Sequence, residues 1–153
     1  MKCGVIIDDS FALHQTPLGH PERPERIKAI IKTITEWEEA PQLERVPPRR
    51  VSAECILSVH TENHFQRIEK TAGDDFYQLD SDTYTSRDSL EVSMLAAGSA
   101  VSLAEAVAKK EIDTGFAIVR PPGHHAESQR AMGFCLFNNV AIAAEWAIRW
   151  GKA

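Results

Sequence analysis

The sequence predicts an α/β domain built around a parallel sheet, and three features carry that prediction. Two short apolar runs bounded by turn residues, at 3–7 and 116–119, have the length and composition of buried strands. Other segments repeat apolar residues every three or four positions, the period of a helix face. Strands and helices alternate along the chain, and that order builds parallel βαβ units. With 153 residues, 43% hydrophobic and 25% charged, the chain can bury the core of one domain.

The elements follow in order. Residues 3–7 read as a strand ended by Asp8-Asp9-Ser10, and the turn-formers His14, Pro17, Gly19, His20 and Pro21 make a loop after it. Pro24 stands where a first helical turn tolerates proline, and Ile27, Ile30, Ile31, Ile34 and Trp37 then recur on one face. Pro41 and Pro47-Pro48 break the chain before a short strand candidate at Arg49-Arg50-Val51. Ser52 is placed to cap a brief helix reaching about Val59, and Thr61 to cap another that uses Phe65 and Ile68 and stops at Gly73. Residues 74–88 form a polar loop. A long helix spans 89–110 on the stripe Leu90, Met94, Ala97, Val101, Ala104 and Val107, and Ala96, Ala97 and Gly98 let a neighbour approach closely. The run at 116–119 is apolar throughout, which suits a strand covered on both faces. A last helix starts at Asn138 or Asn139, turns Val140, Ala143, Ala144, Ala147 and Ile148 inward and has Gly151 as its candidate stop. Three strands, two of them short, against five helices make a narrow sheet, so an incomplete domain is expected.

A formal charge of −5 argues against a protein that holds nucleic acid through its phosphates. Cys3, Cys55 and Cys135 are an odd, widely spaced set, so neither a disulfide framework nor a structural zinc site is indicated, and a reducing compartment is expected. The apolar run at the N-terminus is too short for a signal peptide, and no transmembrane segment is expected. Cytoplasm or nucleus is the localisation that follows.

The strand at 116–119 leads directly into Arg120-Pro121-Pro122-Gly123-His124-His125-Ala126. In parallel α/β sheets ligands bind beyond the carboxyl ends of the strands, where these histidines would sit. Two prolines fix φ, glycine permits a sharp excursion, and adjacent imidazoles bring groups that ionise near neutral pH. Neighbouring side chains on extended backbone point opposite ways, so the pair is not expected to chelate one metal. Two imidazoles beside one substrate can divide proton transfer and charge stabilisation between them. A solvated His-His turn on an unrelated domain is the plain alternative. His60 and His64 have helical spacing, but a metalloprotease glutamate follows its first histidine directly and Glu62 does not, so they read as structural or surface residues. Asp80 and Asp82 are like a calcium loop only superficially, with Tyr84 and Thr85 where a ligand and a glycine belong, so a solvated loop or substrate rim is expected.

Taken with Met132-Gly133-Phe134-Cys135-Leu136-Phe137-Asn138-Asn139, the motif resembles the zinc-dependent histone deacetylase superfamily, nearest its class II branch. The likeness extends through His14-x-x-Pro17-x-Gly19-His20-Pro21-Glu22-Arg23-Pro24-Glu25-Arg26, through Asp80-Ser81-Asp82-Thr83 and into Ala97-Gly98. The resemblance implies a three-layer α/β/α architecture, the arginase/deacetylase fold, with residues 1–153 as the N-terminal portion of a single domain. It implies hydrolysis of an acetyl amide on a lysine-like amine. By resemblance, His125 is the general base and acid and His124 its electrostatic partner. Gly133 and Phe134 would then wall the channel for the alkyl chain, Arg26 would line the pocket where acetate leaves, and Asp82 would contact the substrate backbone. The zinc ligands implied, an Asp-x-His pair and a further aspartate, are not among the 153 residues. Zinc is therefore expected in the complete domain, with no metal ligand in this chain, and the chain alone is expected to be inactive. The partners implied are acetylated lysine in a histone or another protein, or a small acetylated amine, without nucleic acid or membrane. Self-association through a truncated sheet is a further expectation. The rival reading is a non-catalytic deacetylase-like module that binds acetylated ligand or pairs with another chain.

Overall fold

The structure is a computed structural model and describes residues 1–38 and 42–150. Its parallel sheet has the order β2-β1-β5, with β1 at Cys3–Ile7, β2 at Glu44–Arg45 and β5 at Thr114–Ile118. β1 and β5 pair in register from Cys3 with Thr114 to Ile7 with Ile118, so their carboxyl ends meet at one edge. Val5 and Ile6 point to opposite faces and are 2% and 0% exposed, so β1 is covered on both sides. This is the expected parallel sheet flanked by helices.

α1 (Pro24–Glu36) carries proline in its first turn, buries Ile27 and packs Ile31 and Ile34 against the core. Ile30 and Trp37 point outward instead, because the buried stripe is narrower than the sequence spacing implies and Trp37 already lies in extended backbone at the helix end. Ser52 caps α2 (Ala53–Leu57) by accepting the Cys55 N–H, and Thr61 caps α3 (Glu62–Glu69) by accepting that of His64. α4 (Ser89–Ala108) is the central helix. Val92, Ala96, Leu103 and Ala106 face the core around the sheet and α1, while Met94, Ala97 and Val101 face a second core formed with α2, α3 and α5 (Asn139–Trp150). α4 is long and apolar enough by composition to cross a membrane, but 56% of its apolar window is buried inside the fold, which is consistent with the expectation of no transmembrane segment. It serves as a core helix.

Four other expectations are corrected. Residues 49–51 form no strand: a Cβ on Gly98 would lie 1.7 Å from the Arg49 carbonyl oxygen, and the Val51 N–H donates to Met94 O, so this segment runs along α4. The third strand is instead Glu44–Arg45, two exposed charged residues with no apolar signal, formed by pairing with β1. The polar segment after α3 folds into an antiparallel hairpin of β3 (Tyr77–Asp80) and β4 (Thr83–Thr85), with Leu79, Thr83 and Thr85 turned inward. β5 is an edge strand covered only in part; Ile118 is buried but Phe116 is 64% exposed, since no described element lies over it.

α5 is rotated from the expected face. Ile142 is fully buried, with Ala143 and Trp146 against the core, whereas Val140 and Ile148 are 68% and 78% exposed. Asn138 and Asn139 set that rotation, because Asn138 Oδ1 accepts the Ala141 N–H and the buried Asn139 side chain donates to Pro121 O. The proline at 41 and the stop at Gly151 lie outside the described residues.

Candidate active site

β5 delivers the chain to Arg120, whose side chain is 5% exposed. Its Nε and Nη2 donate to the two oxygens of Glu22 at 2.5 and 2.8 Å, and Nη1 donates to Phe11 O at 3.1 Å. A buried bidentate pair of this kind fixes both partners in direction as well as distance. It locks the end of β5 to the loop that precedes α1. His14 lies beside it, with Nδ1 2.7 Å from Ser89 Oγ and Nε2 3.8 Å from Glu22. Burial, then the charges of Arg120 and His20, lower the His14 pKa to about 3, so His14 is neutral and Arg120 is the charge that balances Glu22.

Past Pro121, Pro122 and Gly123, both expected histidines reach the surface, their ring centroids 4.2 Å apart and their planes tilted by 50°. Behind them Cys135 is buried, its sulfur accepting the His125 N–H, and burial pushes its thiol pKa up. Gly133 lies directly against His125: its φ is +57°, and an added Cβ would stand 2.8 Å from His125 Cβ and Cγ. Only glycine meets both demands without strain. Phe134 also has positive φ, 70°, an uncommon conformation for an aromatic residue and a local strain that its surroundings must hold.

Thr83 does so. Its hydroxyl, fully buried, accepts the Phe134 N–H at 3.0 Å and donates to Asp82 Oδ1 at 3.0 Å. The His20 ring meets Phe134 and Tyr84 edge-on at centroid distances of 4.9 and 5.6 Å, and its Nε2 is 3.0 Å from Asp82 O. The structure thus joins Asp82, Gly133, Phe134 and His125 in one rim at the carboxyl end of the sheet. Arg26 joins it indirectly, through a 3.7 Å contact with Glu22 and hence Arg120.

Sequence reasoning placed His14, His20 and Glu22 in a loop and motif and Asn138 at a helix start, but gave none of them a role in the site. Glu22 and Arg120 did carry a signal, being opposite charges inside two proline-bearing motifs, but 98 residues separate them and only the fold brings them together. His60 and His64 are structural, at 3% and 2% exposed beneath the loop. Among the described residues no three His, Cys, Asp or Glu side chains converge on a point that could hold a metal, so the described donors do not fit zinc.

A parallel sheet ending in a tandem-histidine loop, with a left-handed Gly-Phe wall, defines an α/β protein of the arginase/deacetylase type. The chain belongs to the histone deacetylase family, whose profile, described as the histone deacetylase domain, matches residues 20–152. Histone deacetylase 5 of Arabidopsis thaliana is 44% identical, over 96% of this chain and 24% of its own length. A probable deacetylase of Archaeoglobus fulgidus is 34% identical, over 99% of this chain and 42% of its own. The crystal structure of the HDA15 HD domain superposes with a TM-score of 0.88 at 34% identity, over 94% of this chain and 42% of that one. The chain therefore spans well under half the length of these relatives.

Proposed function

We propose that residues 1–153 are the N-terminal portion of a single class II-like histone deacetylase domain, and that the complete domain hydrolyses acetyl-lysine or a related acetyl amide. The observation that carries this reading is the left-handed Gly133-Phe134 pair, with Gly133 seated against His125. The pair sets a half-buried aromatic residue next to the glycine that touches the exposed His125, and an aromatic wall near an imidazole would suit a slender alkyl chain with an amide at its end. His125 would take and return the proton that moves to the leaving amine, and His124 would stabilise the charge that develops beside it. Phe134 and Gly133 would grip the alkyl chain, Asp82 would accept from the substrate backbone, and Arg26 would face the departing acetate.

Zinc, in a complete domain, supplies a Lewis acid and a bound water of lowered pKa. General acid–base help alone is worth about 10²–10⁴-fold, too little for amide hydrolysis at a useful rate. The 153 residues by themselves are therefore proposed to be inactive. Substrates of the proposed class are acetylated lysine in a histone or another protein, or a small acetylated amine. Three free cysteines accord with a cytoplasmic or nuclear setting. A second reading, a module that pairs with another chain, is favoured by exposed Phe116 on the edge strand β5.

Zinc analysis and an acetyl-lysine peptide assay on the purified chain test the proposal, with sedimentation to read its assembly. The expected result is neither stoichiometric zinc nor turnover. One zinc per chain together with turnover would overturn it, and a stable dimer without turnover would favour the second reading.

A further inference from the structure

The segment that follows the tandem histidines leaves them at Ala126 and reaches α5 at Asn139, and both of its ends are tied to one imidazole. His60 is 3% exposed, with Nδ1 2.9 Å from Glu127 O and Nε2 2.9 Å from the Asn138 nitrogen. A peptide N–H can only donate, so His60 Nε2 accepts and carries no proton; the proton sits on Nδ1 and is donated to Glu127 O. The two partners alone fix the tautomer. Burial, with His64 beside it, lowers the His60 pKa to about 4, which keeps the ring in that neutral form.

Asn138 passes the constraint onward. Its Nδ2 donates to Ala126 O at 3.0 Å, and Ala126 directly follows His125, while its Oδ1 caps α5 through the Ala141 N–H at 3.0 Å. Neighbouring bonds act in the same sense: the Thr61 N–H donates to Ser128 O at 2.9 Å, and His64 Nε2 lies 2.9 Å from Leu136 O. The entry arm of the loop rests on the exit arm, since a Cβ on Gly123 would stand 2.5 Å from Asn139 N. The His60 ring itself packs against Phe137 at a centroid distance of 5.6 Å, so it is braced on the core side.

We propose that His60 is the positioning residue of the tandem-histidine loop: its Nδ1–H tautomer clasps Glu127 and Asn138, and Asn138 hands that register to Ala126 and His125. His60 touches no substrate in this arrangement and acts through Asn138. The functional meaning rests on the acid–base reading of His125, but the clasp is a matter of geometry and is measurable without turnover.

The test is nuclear magnetic resonance on the full, isotope-labelled chain. It reads the protonation of each imidazole nitrogen, the ring signals of His124 and His125, and the exchange rate of the Asn138 amide. His60 should show a protonated Nδ1 and a bare Nε2. Asn138→Asp keeps the backbone N–H and the Oδ1 cap but loses the Nδ2 donor; it should leave the His60 tautomer intact and shift the His125 ring signals. His60→Phe keeps the ring against Phe137 and loses both bonds, so Asn138 amide exchange should rise roughly tenfold and the His125 signals should move. His60→Gln restores an acceptor near the Nε2 position and should recover much of the amide protection. A proton on His60 Nε2, or unchanged His125 signals in Asn138→Asp, would overturn the proposal even where His60→Phe fails to fold. Turnover undiminished by His125→Ala in a complete domain would remove the acid–base reading while leaving these spectra as they are, so the two failures are distinguishable.

Discussion

Glu22 and Arg120 offer the sharpest test of how the fold aims its loop. Glu22→Met leaves the Arg120 guanidinium, 5% exposed, with Phe11 O as its remaining described acceptor. Removing one partner of a buried pair costs about 3–5 kcal/mol, because the other charge stays desolvated. In a domain of this size each kcal/mol lowers Tm by about 2–4 °C, which puts the loss at roughly 6–20 °C. Arg120→Met should cost a similar amount, since it leaves a carboxylate that is 1% exposed with the longer 3.7 Å contact to the exposed Arg26 in place of a bidentate pair. The double variant removes both charges and fills the space with unbranched apolar chains, so it should be far less destabilised than the sum of the singles. Urea and thermal unfolding of all four proteins, followed by circular dichroism, give the coupling energy. Single losses below about 1 kcal/mol, or strictly additive losses, would refute the argument that this pair is desolvated and bears on the strand end.

Three further outcomes are expected. His14 and His60 are held neutral, with pKa values lowered to about 3 and about 4, so the unfolded chain binds more protons and stability falls as pH drops below the unfolded value of about 6.5. Between pH 7 and pH 5 the loss should be about 2 kcal/mol for each, near 4 kcal/mol together, and an unchanged urea midpoint over that window would contradict it. Gly98→Ala brings a methyl 1.7 Å from the Arg49 carbonyl and should cost about 3 kcal/mol in the same unfolding assay, whereas an indifferent protein would mean that residues 49–51 do not lie on α4. Thr83→Val removes the hydroxyl that joins Asp82 to the Phe134 N–H, so it should cost about 1–2 kcal/mol and free the Phe134 amide to exchange; unaltered exchange would show that Thr83 does not hold the strained residue.

The parts of the fold that were legible in the sequence are those whose signal is local. β1 needs only its own apolar run, α2 and α3 announce themselves through Ser52 and Thr61, and α1 through Pro24. Elements made by partners were not legible. Glu44–Arg45 has no strand character until β1 lies beside it, and the face of α5 is chosen by Asn138 and Asn139 rather than by a symmetric apolar stripe. The apolar run in β5 suggested cover on both faces, but cover belongs to neighbours and not to the strand. The site divides in the same way. The candidate residues His124, His125, Gly133 and Phe134, to which the resemblance gives roles, lie within a short stretch of sequence and so form a local pattern. The residues that aim them, Glu22 and His60, act across 98 and 78 residues of chain, a separation that no local pattern encodes.

The most direct test of the account joins this chain to the Asp-x-His half of a family domain and measures deacetylation of an acetyl-lysine peptide with and without His125→Ala. The account predicts that the joined protein binds zinc and turns over, and that His125→Ala keeps the zinc and the fold while losing about 10²-fold or more in rate. Turnover undiminished by His125→Ala, with zinc bound, would contradict it.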